Sequence, residues 1–520
     1  MSIAGAWIVY YGTALSPWGG SDSVEYLVSA RYMLRGIGIG YYSVSGVFHW
    51  INLHPPFYPI VLGTISLLGL DLVNAARWLD IILFALTICT TGIILWRFCS
   101  SSSFSLLACL LVLVFSPMLK IFTSVMSDPL FIFLCVLHVL FLVVYLSTAR
   151  IKWLLLSALV AGLAALTRYI GISLVGAGVV SLLLFCQGTG SGRIKKSALY
   201  LALASLPLLL WVGWLYFGPE HSLAGRSASV DLSGLLGRLQ PFRLAVVGTL
   251  WGWLPLQDKI SEVPYRGQLA FLSLVVIGTT VITIFANSRF LRETLSKAAS
   301  SDLQIFGILG LFSLAYLAFL ALSTAFSNLP PDINDRMLLP IYVSVVVALF
   351  AAFSLWRKVW LTGFRQGFKI IPWLLVALCI FQYQPQSVSF ISKQHIAKGL
   401  RYWENTDIVA AVQALSPNIP VISTRPNILL LWANHPAYLL GMNFSSEFLS
   451  QTGPYGTDPH DPLQVIFQQQ GAALVDFNDL SPKFIQKYGE ESVERLDQLI
   501  EGLVVYQQFP DGVIYFYPSR

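Results

Sequence analysis

The chain has 520 residues, of which 56% are hydrophobic and only 11% charged, with a net charge of +6 and a mean hydropathy of +0.70. A soluble protein of this size could not hide that much apolar surface, so the composition excludes a water-soluble enzyme and indicates a polytopic membrane protein. The basic residues stand in short clusters between apolar runs rather than along one stripe, which argues against nucleic acid as a partner.

The N-terminus lacks the basic region and cleavage site of a signal peptide. Its first apolar run, Ser2 to Leu15, is short for a span and leaves an upstream start open. Ser21-Asp22-Ser23-Val24-Glu25-Tyr26 follows. Asp22 and Glu25, spaced i, i+3, share one face of any helix that starts here, and Asp22 or its serine neighbours could also cap it. His54-Pro55-Pro56 forces an extended backbone and leads into the apolar segment Phe57 to Leu70, too short to span comfortably and read as interfacial or re-entrant.

Candidate spans fall at 1–16, 74–98, 103–120, 128–147, 152–167, 169–186, 197–217, 268–286, 303–325, 337–356 and 370–384, eleven in all. Thr167-Arg168-Tyr169 interrupts the pair 152–186, which can also be read as one broken hairpin. One alternating set of loops holds thirteen basic residues, from Arg97 to Lys369, against two acids, Glu293 and Asp302; the other set, including 16–73, 218–267 and 326–336, is near balance. The positive-inside rule puts the first set and the N-terminus in the cytoplasm of a plasma (inner) membrane protein, and the region beyond about Pro385 outside. That region is polar and alternates strand-like stretches (420–423, 472–476, 512–517) with helix-like ones (406–415, 492–503), which predicts a small extracytoplasmic α/β domain. The domains expected are therefore a transmembrane catalytic domain, 1–384, with external loops 16–73 and 218–267, and an α/β domain, 385–520. All six cysteines lie in or at the ends of apolar runs, so no disulfide framework is expected in the polar region.

Ionisable groups at membrane boundaries are costly unless used or paired. On the predicted outer face these are Asp22, Glu25, His54, Arg77, Asp80, Lys120, Asp128, Arg168, His221, Asp335 and Arg336. A carboxylate there can deprotonate an incoming hydroxyl or amine, and the cations, with or without a metal, can stabilise a departing phosphate. Each has a plainer reading. Asp22 and Asp128 suit helix caps, the latter ahead of Pro129. Arg77 and Asp80 suit an i, i+3 ion pair, and Lys120 a snorkelling anchor. His54 suits a buried hydrogen-bonded histidine, His221 an ordinary loop residue, and Asp335-Arg336 a boundary ion pair. Arg168, which breaks an apolar run, resists such a reading.

Five motifs carry a resemblance: Asp22-Ser23-Val24-Glu25-Tyr26 with Ala30-Arg31 and Gly36; His54-Pro55-Pro56-Phe57-Tyr58-Pro59 with Ala76-Arg77; Ser127-Asp128-Pro129; Leu166-Thr167-Arg168-Tyr169-x-Gly171; and Arg336-Met337-Leu338-Leu339-Pro340. In these the chain resembles the GT-C superfamily of polytopic glycosyltransferases, near the protein mannosyltransferase and aminoarabinose transferase branch. The resemblance implies a catalytic base or acceptor-orienting group at Asp22, a second acid at Asp128, and cations facing a lipid phosphate at His54 and Arg168, with Arg336 of the fifth motif a further candidate for that phosphate. Glu25 departs from the adjacent Asp-Glu of the protein mannosyltransferases, which leaves its role and a protein acceptor open. It also implies a polyprenyl-phosphate-linked sugar donor, a glycan, lipid or protein acceptor outside the cytoplasm, and inversion at the anomeric carbon. A divalent metal is the one cofactor in view, with Asp22, Asp128 and His221 as candidate ligands. The rival readings are a transporter or flippase for a lipid-linked or small polar substrate, and a non-catalytic subunit of an envelope complex.

Overall fold

The structure, a computed structural model, describes residues 1–43, 46–218, 235–254, 301–327, 331–360, 371–440, 471–480 and 502–516. Among these, six helices are long and apolar enough to cross a membrane: Leu72–Phe98, Asp128–Thr148, Gly190–Phe217, Ser301–Phe326, Asp335–Leu355 and a stretch beginning at Pro372. A seventh is the pair Ser102–Val114 and Ser116–Phe122, bent by 66°, where Phe115 stands in an extended conformation ahead of Pro117. Ile3, Phe217 and Phe381 are each at least 80% exposed. Large apolar side chains left so bare, on helices that satisfy their own backbone hydrogen bonds, are what a bilayer covers. This is an integral, multi-pass membrane protein.

The count differs from the eleven spans predicted. Residues 1–16 give a helix of only 11 residues, Ser2–Gly12. Ile151–Thr167 has 17 residues, about 25 Å at 1.5 Å per residue, which falls short of a hydrocarbon core of about 30 Å. Tyr169–Phe185 is likewise in the shorter class. The span at 268–286 lies outside the described residues.

The chain forms two compact units: Met1–Ala14, Asn52–Tyr58 and Arg77–Ile396 in the first; Leu15–Ile51, Pro59–Ala76 and Ala397–Arg520 in the second. In the first, close helix packing relies on small residues. A Cβ on Gly162 would come within 2.8 Å of the Ala204 carbonyl oxygen, and one on Gly178 within 2.3 Å of the Tyr200 hydroxyl, so bulkier residues would push these helices apart.

The second unit holds a hairpin, β1 (Gly40–Tyr42) and β2 (Phe48–Trp50), and a five-stranded mixed sheet. Its order is β4 (Tyr438–Leu439), β3 (Val421–Ser423), β5 (Ala473–Asp476), β7 (Gly512–Phe516), β6 (Val504–Phe509). β3 runs parallel to β4 and β5, and β7 antiparallel to β5 and β6. Ile408, Val409 and Val412, on one face of the helix Asp407–Ala414, pack with Val421, Val475 and Ile514 as the core of this sheet. The predicted helix 492–503 lies largely outside the described residues.

Within the same unit the helix Ser21–Leu34 is anchored to the chain beyond residue 397. Tyr32 donates its hydroxyl to Asn434 Oδ1 at 3.0 Å. The segment leading into that helix is anchored too, because the Leu400 N–H bonds the Pro17 carbonyl at 3.0 Å. Gly399 makes that approach possible: its φ is +53°, and a Cβ there would lie 2.4 Å from the Pro17 oxygen.

Candidate active site

In the first unit three helix ends meet. Asp128 opens the helix Asp128–Thr148, Arg336 is the second residue of the helix Asp335–Trp360, and Arg168 follows the last residue of Ile151–Thr167. Arg168 takes an extended backbone, φ −147° and ψ 132°, between that helix and the short 3₁₀ turn Tyr169–Gly171. The turn folds back so tightly that a Cβ on Gly171 would lie 2.5 Å from the Ala165 nitrogen, which is why glycine closes this motif.

The Asp128 carboxylate is 2% exposed. Arg168 Nη1 donates to its Oδ1 at 2.5 Å and Arg336 Nε to its Oδ2 at 2.9 Å. Arg168 Nη2 also reaches Met337 Sδ at 3.2 Å, and the Tyr316 hydroxyl bonds the Met337 carbonyl at 2.7 Å, fixing the first turn that carries Arg336. Two guanidiniums share one carboxylate. Tyr169 donates to the Asn52 carbonyl at 3.0 Å, which fastens the segment containing half-buried His54 to the Arg168 turn. The structure therefore brings Asp128, Arg168 and Arg336 together and holds the His54 segment beside them.

Several plainer sequence readings are corrected. Asp128 is not a side-chain cap, because Ser127 occupies the cap position and both Asp128 oxygens face arginines. Asp335 does not pair with Arg336: it accepts from Trp253 Nε1 at 3.1 Å, while Arg336 turns to Asp128. Arg77 does not pair with Asp80. It donates to Thr13 Oγ1 at 3.1 Å and the Tyr10 carbonyl at 3.2 Å, with its guanidinium 4.8 Å over the Tyr10 ring. Asp80 is buried, and neither of its oxygens has a hydrogen-bond partner among the described residues. Lys120 is exposed near the end of its helix. His221 lies outside the described residues.

In the second unit, Asp22 and Glu25 sit in the first two turns of the helix Ser21–Leu34. Gly20 is the cap residue and its N–H bonds Ser23 Oγ at 2.9 Å, so Ser23 closes the helix start and Asp22 stands in the first turn, at the positive end of the helix dipole. Ser21 Oγ lies 3.5 Å from Asp22 Oδ1. Burial, and next the neighbouring Asp22 charge, push the Glu25 carboxyl up to about 7. Its proton is thus held and released near neutrality, the range in which a carboxyl serves as acid or base.

Among the described residues no group of three or more His, Cys, Asp or Glu side chains could hold a metal ion. At Asp128 the expected divalent ion does not fit, because both oxygens already accept from guanidiniums whose charge would repel it.

Residues 53–217 match the family described as dolichyl-phosphate-mannose-protein mannosyltransferase. No curated protein sequence matches the chain. Among solved structures, ArnT from Cupriavidus metallidurans bound to undecaprenyl phosphate aligns over 100% of this chain and 97% of its own, at 15% identity and a TM-score of 0.53. The oligosaccharyltransferase AglB from Archaeoglobus fulgidus, in complex with an inhibitory peptide and a dolichol-phosphate, aligns over 100% of this chain and 74% of its own, at 11% identity and a TM-score of 0.51. The oligosaccharyltransferase of Archaeoglobus fulgidus in complex with Zn and sulfate aligns over 99% and 73%, at 12% identity and a TM-score of 0.54. The chain has the fold of the polytopic GT-C glycosyltransferases. Within that class it is similar to the aminoarabinose transferase and protein mannosyltransferase branch.

Proposed function

We propose that this protein is an integral membrane glycosyltransferase of the cell envelope, which transfers a sugar from a polyprenyl-phosphate-linked donor to an acceptor outside the cytoplasm. One observation carries the reading: Arg168 and Arg336, from separate helix ends, converge on the buried Asp128, and Tyr169 ties the His54 segment to the Arg168 turn. Forked guanidiniums fixed in place suit a phosphate that gains negative charge as it leaves. Asp128 then holds the two arginines in register rather than taking a proton.

In this mechanism the acceptor hydroxyl or amine attacks the anomeric carbon as the bond to the polyprenyl phosphate breaks. Asp22 is the proposed base, and Glu25 beside it sets the local charge by its own proton. Arg168, Arg336 and His54 are the proposed cations for the departing phosphate. The bias of thirteen basic residues in one set of loops supports an outward-facing site, and a lipid-borne donor suits a face where nucleotide sugars are absent.

The test is transfer by the purified full chain in detergent or nanodiscs, with labelled polyprenyl-phosphate sugars and a membrane extract as acceptor. Mass spectrometry of envelope glycolipids and glycoproteins with and without the gene identifies the product. Arg168→Gln and Arg336→Gln should each weaken donor binding at least about tenfold, the scale of one charge-assisted hydrogen-bond pair. Unchanged donor binding in both variants would sink the assignment of the phosphate to this cluster.

A further inference from the structure

The second unit contains a cavity of about 380 Å³ whose lining includes Leu27, Arg31, Arg35, Asp71, Glu404 and Trp432. Its two acids are engaged. Arg401 bonds Asp71 Oδ1 at 2.5 Å and Glu404 Oε2 at 2.7 Å. Asp71 also accepts from the Val73 and Asn74 N–H groups, each at 3.1 Å, as a cap for the helix Leu72–Phe98.

The two arginines in the wall are not engaged in this way. Arg31 and Arg35 stand one helical turn apart at the end of Ser21–Leu34, and neither side chain makes an ion pair or hydrogen bond with the described residues. Arg35 lies over the Tyr32 ring, 5.9 Å from its centroid. Like charges at i, i+4 repel, and a half-buried guanidinium without an anion is costly. Burial, and next the charge of Arg35, hold Arg31 below its ordinary value. Counting Arg401, three cations face two carboxylates among the described residues.

We propose that this cavity binds a phosphate group, with the Arg31 and Arg35 guanidiniums taking its oxygens and Leu27 and Trp432 covering the body that carries it. The phosphate belongs either to a lipid headgroup or to a soluble phosphate compound; the chemistry recognised is the same. The proposal does not depend on the transferase reading, because its test measures binding and not transfer.

The full chain in detergent is titrated with inorganic phosphate by calorimetry, and with short-chain phosphatidic acid against phosphatidylcholine by native mass spectrometry. Retention of phosphatidic acid over phosphatidylcholine, weakened at least about tenfold in Arg31→Gln and in Arg35→Gln, supports a lipid-borne phosphate. The same loss with inorganic phosphate supports a soluble source. Arg35 is exposed, so Arg35→Gln keeps the test decisive where Arg31→Gln disturbs folding. Binding of neither probe overturns the proposal. So does weakening confined to Arg168→Gln, which would assign all bound phosphate to the Asp128 cluster.

Discussion

Between pH 4.5 and about 7, Glu25 keeps its proton in the folded chain and loses it in the unfolded one, because burial and the Asp22 charge both disfavour its ionised form. The folded state therefore binds more protons across that window, and the stability contributed at this position falls as pH rises through it. Glu25→Gln keeps a neutral side chain of the same size, so its melting temperature in detergent should lose this part of the pH dependence between 4.5 and 7. Parallel melting curves for the two proteins would show that Glu25 is not perturbed in solution. Asp22→Asn tests the proposed base. The helix start is closed by Ser23 and Gly20, so asparagine should leave folding and donor binding intact while turnover drops about 10²–10⁴-fold. Near-normal turnover would reduce Asp22 to a dipole partner. The i, i+3 spacing of the two acids was legible in the sequence, because it needs only the period of a helix. The bond between Arg336 and Asp128, 208 residues apart, was not, since no local period encodes such a partner. The sequence offered Asp335 as the nearer acid for Arg336, and the fold spent that acid on Trp253.

At the scale of elements, the break at Arg168 shows how a site is cut into apolar helices. The interruption was visible as a charged residue in an apolar run, with a glycine three residues on. Neither showed which backbone came near. That backbone is the last turn of the preceding helix, 2.5–2.6 Å from where a Gly171 Cβ would sit at Ala165 and Ala164. Main chain cannot yield as a flexible side chain does, so Gly171→Ala should displace the turn and cost about 1–3 kcal/mol. The expected readings are a lower melting temperature together with weakened donor binding, as Arg168 leaves its place. A Gly171→Ala protein with wild-type stability would mean that the turn relaxes freely. Asp128→Ala attacks the same junction from the other side. It removes the carboxylate that both guanidiniums share and should cost about 3–5 kcal/mol, the usual penalty for breaking a buried ion pair by removing one partner. Three strands of the second unit, β3, β5 and β7, were legible from short apolar runs at 420–423, 472–476 and 512–517, whereas β4 and β6 were not. Their order in the sheet was not, because β7 inserts between β5 and β6 through contacts that a linear pattern does not contain.

For the whole molecule, topology is the property on which the proposed chemistry depends most. The short, apolar helices Ile151–Thr167 and Tyr169–Phe185, and the bent pair around Phe115, make a count of crossings from length alone ambiguous. Charge offers an independent measure. Thirteen basic residues against two acids occupy one set of loops, and the alternate loops are near balance. With the positive loops inside, as proposed, Lys369 would lie in the cytoplasm, and an odd number of crossings from a cytoplasmic N-terminus would place Arg520 outside. Helix count and charge bias can fail separately, which makes the paired measurement informative. A reporter active only in the cytoplasm, fused after Lys369, should be active; one active only outside, fused after Arg520, should also be active. If both positions report the same side, no crossing separates Lys369 from the C-terminus, and the stretch beginning at Pro372 does not span. The polar region would then lie on the cytoplasmic face, where nucleotide sugars are available. A lipid-borne donor would in that case be favoured by the Asp128 cluster alone.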